Sequence, residues 1–223
     1  MVFELFRGKG DSQVEAIEEQ IAEMLATTHR TFMLAMDALF RREDPKAIRK
    51  PLRKADKSVN KVERSIRRAL VVHSGVRGAT ADAPLLFTYM SISKDIERIG
   101  DISKDMWDLA DAGVDLSRVD DVDIGSHVDR IADLITETAR IFAERDGDTA
   151  IEVLNACDEL RDRYEELMLA QISSTAAGGQ AAARALLYRY VNRIVAHLMN
   201  VMTAVVMPLD RLDYWDEDKM DRD

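Results

Sequence analysis

Ser93-Lys94-Asp95-Ile96-Glu97-Arg98-Ile99-Gly100-Asp101-Ile102-Ser103-Lys104-Asp105 is the stretch around which the chain is organised. Residues four apart share a helix face, so Glu97, Asp101 and Asp105 stand one above the next. At about 100° per residue the apolar set Ile92, Ile96, Ile99, Met106 and Leu109 points almost the opposite way. The spacing therefore predicts a helix that buries one side and shows a column of carboxylates on the other. Like charges at i,i+4 repel by roughly 0.2–0.5 kcal/mol per pair. Water alone, a basic partner or a cation has to offset that repulsion.

The surrounding chain favours helices throughout. In 223 residues there are only 10 Gly and 4 Pro, aromatics make up 6% and charged residues 32%. A sheet protein would show β-branched and aromatic runs separated by many turns. No convincing period-2 segment is present, and the fold class read from the sequence is all-α. The length suffices for one large domain or two small ones with a real core. A net charge of −10 argues against nucleic acid as a principal partner. The single cysteine, Cys157, excludes an intramolecular disulfide and reads as a small buried hydrophobe. Met1-Val2-Phe3-Glu4-Leu5-Phe6-Arg7 is too short and too charged for a signal peptide, and no uncharged apolar run reaches membrane-spanning length. The expected location is cytoplasmic.

Taken in order, Ser12 followed by Glu15 is a capping-box pattern. Apolar residues then recur at helical spacing from Ile17 to Phe40, predicting a helix of about 45 Å that ends near Arg42. Asp44-Pro45 breaks it and opens a second helix to about His73, with an apolar seam of Leu52, Val59, Val62, Ile66 and Leu70. That second helix is strongly basic, with twelve Lys/Arg against four Asp/Glu between Arg41 and Arg68. Ser74-Gly75 and Gly78 mark a loop, and Pro84 opens the third helix, which fades near Ala112-Gly113. Residues 113–125 are acidic and irregular, and read as a linker. Helices then follow over about Ser126 to Arg145, Thr149 to Ser174, and Ala181 to Met207, with breaks at Asp146-Gly147-Asp148, Ala176-Ala177-Gly178-Gly179 and Pro208.

The two halves repeat. Leu39-Phe40, Asp44, Asp56, Asn60 and Glu63 recur 102 positions later as Ile141-Phe142, Asp146, Asp158, Asp162 and Glu165. Arg98-Ile99 recurs 95 positions later as Arg193-Ile194. The expected architecture is two tandem three-helix bundles, at 1–112 and 126–213, joined by 113–125 and followed by a frayed acidic tail at 214–223.

Carboxylates also approach helical register on the second helix (Asp56, Asn60, Glu63) and the fifth (Asp158, Asp162, Glu165). Two facing helices with such pairs can supply four or more oxygens to a cation. With no nearby His, the donor set suits Mg, Mn, Ca or oxidised Fe better than structural Zn. Acidic pairs are also commonplace on solvated helix faces in a chain with 41 Asp and Glu, so spacing alone does not assign a metal. His29, His73, His127 and His197 form no i,i+3 or i,i+4 pair and no Glu-x-x-His pattern, which disfavours an oxygen-activating di-iron enzyme. Arg49, Lys50, Arg53 and Lys54 form either a solvated face or a docking surface for an acidic protein or anionic lipid headgroups.

Glu97-Arg98-Ile99-Gly100-Asp101 on the third of six helices, with a degraded copy on the sixth, resembles the PhoU family of phosphate-uptake regulators. Asp56-x-x-x-Asn60-x-x-Glu63, Asp158-x-x-x-Asp162 and Asn200, in register with Asp105, are also similar to the family, over about residues 12–207. The resemblance implies a non-enzymatic regulator of phosphate transport and homeostasis. Its partners would be a membrane phosphate transporter or its ATPase subunit, or a sensor histidine kinase; the basic second helix separately allows peripheral membrane association. It also implies iron or zinc clusters held by surface carboxylates. Carried over, Glu97 and Asp101 are the leading ligand candidates, with Asp56, Glu63 and Asp105 in support. The second copy reads Asn192-Arg193-Ile194-Val195-Ala196-His197, and both motif carboxylates are gone. One occupied site in the first bundle, or none, is expected. A metal-free helical scaffold and a carboxylate-bridged metalloenzyme are the alternatives. Phe3, Leu5 and Phe6 would allow homo-oligomers.

Overall fold

Helix starts and stops follow the local signals closely. A computed structural model describes residues 12–76, 83–118, 124–176, 178–217 and 220. It contains the helices α1 (Ser12–Leu39), α2 (Pro45–Val76), α3 (Ala83–Asp111), α4 (Ile124–Glu144), α5 (Gly147–Ala170) and α6 (Gly178–Val206). The Phe3, Leu5 and Phe6 proposed for self-association, Gly78 and residues 119–123 of the linker lie outside the described residues.

The break between α1 and α2 shows how the chain turns. Arg41 adopts the left-handed conformation at φ 52, which costs a non-glycine residue roughly 1–2 kcal/mol. Its guanidinium then donates to the carbonyls of Ala110 and Val114 at 3.1 and 3.0 Å. The end of α1 is thereby fastened to the end of α3. Asp44 next accepts from the Lys46 amide at 3.0 Å, and α2 starts at Pro45, where a missing N–H is harmless. The second half repeats the device: Arg145 sits at φ 55, and Asp146 caps α5 by accepting from the Thr149 amide at 3.1 Å. α2 runs on through Pro51, which is exposed, so water reaches the carbonyl that its ring leaves without a donor.

α1, α2 and α3 pack on one another, as α4, α5 and α6 do, and the two sets meet through α3 against α6 and α1 against α4. α2 and α5 therefore flank the molecule, and α3 and α6 run through its middle. The repeat appears in the interface itself. Asn200 of α6 donates to Asp95 of α3 at 3.3 Å. Shifted by 95 positions, the same pair is Tyr190 and Asp105. There burial, followed by the charge of Asp105, pushes the Tyr190 phenol up. The two halves thus approach each other by equivalent faces.

This placement corrects the one-sided picture of α3. Covered by α1, α2 and α6, it buries residues around nearly its whole circumference, including Ser93, Asp95, Glu97 and Ser103. Small hydroxyls tolerate this because they bond their own helix: Ser93 donates to the Met90 carbonyl at 3.0 Å and Ser103 to that of Ile99 at 2.8 Å. The chain beyond Pro208 also differs from the frayed tail expected from residue 214. Leu212 and Trp215 are buried, and the Trp215 carbonyl accepts from Arg161 at 3.4 Å. An indole of this size gains more from burial than the last short turn loses in chain entropy.

Candidate functional site

The carboxylates singled out by spacing do not form one column. Asp101 faces α2, and Lys104 stands between the two helices. Its ammonium donates to Asp101 Oδ1 at 2.8 Å and to Asp56 Oδ1 at 3.3 Å. Burial alone pushes the Lys104 ammonium down. The Asp101 hydrogen bond and charge, then those of Asp56, more than reverse this and hold it above the ordinary lysine value. Glu97, only 9% exposed, pairs with Lys94 Nζ at 2.6 Å. Glu63, 4% exposed, pairs with Arg67 Nη2 at 2.6 Å. Asp105 turns towards α6. Burial and the like charge of Asp108 push its carboxyl up, while Lys104 and Arg193 pull it down. Asn60 donates its amide to the Asp56 carbonyl at 3.1 Å.

The structure therefore brings Asp56 and Asp101 together on Lys104, while Glu63 and Glu97 pair with Arg67 and Lys94. A metal held by oxygen needs several donors converging at about 2.0–2.6 Å. Among the described residues no group of three or more His, Cys, Asp or Glu is placed to hold one. Where two carboxylates do converge, the space between them holds the Lys104 ammonium. As arranged, Asp56 and Asp101 share the Lys104 ammonium. The repulsion anticipated along α3 is offset by cations of the chain itself.

In the second bundle Asn192 takes the place of Glu97, and its amide oxygen accepts from Arg161 Nε at 3.2 Å. The rest of the degraded motif serves the interface between bundles. His197 Nδ1 lies 2.9 Å from Asp95 Oδ1, next to the Asn200 contact already described. Asp95 is 6% exposed, so this is a buried polar junction. A second junction joins α1, α3 and the end of α4: Glu18 accepts from the Tyr89 hydroxyl and, at 2.5 Å, from Arg145. Burial, then the charge of Glu18, pushes the Tyr89 phenol up.

Sequence reading missed both junctions, because their partners lie 71 to 127 positions apart. It also passed over Lys94 and Lys104, although each lies three positions from the carboxylate it binds, a spacing that itself signals a helical ion pair. Arg49, Lys50, Arg53 and Lys54 are all exposed and, with Lys46 and Lys57, line a shallow groove of about 530 Å³. Cys157 is buried, and that burial pushes its thiol up to about 12, which leaves no thiolate for nucleophilic or redox chemistry near neutral pH.

The PhoU domain family matches residues 21–110, which span most of α1 and all of α2, and α3 almost to its end. The six-helix architecture agrees: the crystal structure of PhoU from Pseudomonas aeruginosa superposes with a TM-score of 0.74 at 23% identity, covering 88% of this chain and 97% of that one. The whole chain thus has an all-α PhoU-like fold. No curated protein sequence matches it. The motif Glu97-Arg98-Ile99-Gly100-Asp101 lies inside the matched PhoU domain. The degraded copy on α6 lies outside it.

Proposed function

We propose that this protein is a PhoU-type regulator of phosphate uptake and phosphate homeostasis. It acts in the cytoplasm by contact with a membrane phosphate transporter, its ATPase subunit or a phosphate-sensing histidine kinase, and catalyses no reaction of its own. The PhoU domain over residues 21–110 carries this reading. Two features support it. The titratable groups that converge are saturated by one another, as Lys104 is with Asp56 and Asp101. In addition, no described helix is long and apolar enough to cross a membrane, so action on a transporter requires docking from outside the bilayer.

Within this reading the metal-free form is favoured by the Lys104 bridge. A metal using Asp56 and Asp101 would have to displace an ammonium already held by both. Affinity capture of the tagged protein from phosphate-replete cells tests the proposal. Recovery of a phosphate-transporter subunit or a phosphate-sensing kinase is expected. Recovery of neither, with the protein folded and abundant, counts against it.

A further inference from the structure

α2 carries ten Lys/Arg against two Asp/Glu in a chain of net charge −10. The helix holds a net +8 and everything outside it −18. At about 100° per residue all ten cations fall within one arc of about 140°, opposite the buried Leu52, Val59 and Ile66. From Lys46 to Arg68 this stripe is about 33 Å long at 1.5 Å per residue. Arg67 is tied to Glu63. Among the described residues no carboxylate forms an ion pair with Lys46, Arg49, Lys50, Arg53, Lys54 or Lys57. Apart from Arg67, these cations of an acidic protein have been left without internal counter-charges.

The stripe does not end in polar residues. Val71 and Val72 continue the same arc and are 65% and 52% exposed. Phe87, 60% exposed, lies near the start of the next helix. Val72 and Phe87 each lie four positions from the facing helix ends, Val76 and Ala83. A row of cations that runs into exposed apolar side chains is the pattern of a helix lying on a membrane, with charge at the headgroups and apolar groups at the acyl boundary.

We propose that this face of α2 seats on an anionic lipid bilayer, with Lys46 to Arg68 against the headgroups and Val71, Val72 and Phe87 entering the interfacial layer. A nucleic acid would make no use of the apolar tip, and the stripe itself carries no aromatic residue for base stacking. A bilayer meets the whole 33 Å stripe at once. It also repels the remaining −18, which orients the molecule with α2 towards the surface. The proposal stands apart from phosphate regulation: it concerns purified protein and lipid alone, so its failure and the failure of the regulatory reading are separately visible.

Each basic residue near an anionic surface strengthens partitioning roughly fivefold. The test is co-sedimentation of the full-length protein with vesicles of phosphatidylcholine and with vesicles of phosphatidylcholine mixed with phosphatidylglycerol. Binding is expected to the anionic vesicles alone and to weaken as salt shortens the screening length. The R49E/K50E/R53E/K54E variant, changed only at exposed positions and checked for helicity by circular dichroism, should lose at least about 100-fold in partitioning. A V71S/F87S variant should bind several-fold more weakly with an unchanged salt slope, an effect that a purely electrostatic contact would not show. The proposal is overturned if the folded wild type ignores anionic vesicles, binds both kinds equally, or is matched by the quadruple variant. If vesicles are ignored while charge reversal abolishes capture of a transporter subunit, the face serves an acidic protein and the lipid assignment falls.

Discussion

Replacing Lys104 with alanine removes the one ammonium that stands 2.8 Å from Asp101 and 3.3 Å from Asp56. Exposed ion pairs contribute about 0.2–1 kcal/mol, whereas removing one partner of a buried pair costs about 3–5 kcal/mol. The side chains here are 35% (Lys104), 46% (Asp101) and 20% (Asp56) exposed, between those limits. After allowance for solvent screening, K104A should cost about 1–2 kcal/mol, or a Tm lower by about 3–6 °C for a chain of this size. K104M, which keeps most of the apolar stem, separates the charge from the packing. The pH dependence follows from the sign of the shift. The folded Lys104 value lies above the ordinary one, so its stabilisation is complete below about pH 10.5 and is lost as pH rises through the folded value. Urea denaturation of wild type and K104A should therefore differ at pH 8 and converge in strong alkali. In K104A, Asp56 and Asp101 face each other without a counter-charge, and added Mn²⁺ or Zn²⁺ should restore part of the lost stability. Equal stability of K104A and wild type at pH 8 would refute the reasoning. So would a wild type that takes up metal stoichiometrically and loses it in D56N/D101N.

Three further outcomes are expected. D95A should lower stability by about 2–4 kcal/mol in urea titrations, because it leaves the buried Asn200 and the half-buried His197 at the interface without their shared acceptor; a loss below about 0.5 kcal/mol would show that the junction contributes nothing. G100A should be tolerated and stabilise by about 0.5–1 kcal/mol, since an added Cβ would meet Thr28 Cγ2 at an ordinary 3.6 Å, and a lower Tm would show that α1 and α3 need the glycine. Cys157, buried and pushed up to about 12, should leave a thiol-reactive disulfide reagent untouched at pH 8 until denaturant is added; rapid labelling of the native protein would contradict its burial.

What the sequence disclosed and what it withheld divide along chain distance. Asp44-Pro45, Asp146-Gly147 and Pro208 act through their own backbones and close neighbours, so the helix boundaries were legible. The repeat at offsets 102 and 95 was legible because Asp56 and Asp158, or Arg98 and Arg193, keep their register. The environment of α3 was not, because its outer face is covered by α6, about a hundred positions away. Glu97 looks like a solvated carboxylate in a helical projection and is nonetheless buried; Asp95 falls among the apolar positions, and only α6 supplies its partners His197 and Asn200. Trp215 is the same case: in isolation it belongs to an acidic tail, and in the fold it has a groove to fill. Lys104 is the instructive exception. Its spacing from Asp101 was visible locally, but reading the acids as ligands drew attention away from the cation beside them.

Regulation of phosphate uptake is most directly tested by measuring the initial rate of phosphate uptake in phosphate-replete cells with and without the gene. Removal should alter the rate and the expression of phosphate-starvation genes with it, and re-expression of the wild-type protein should restore both. Uptake and expression that are the same in the presence and absence of the protein would contradict it.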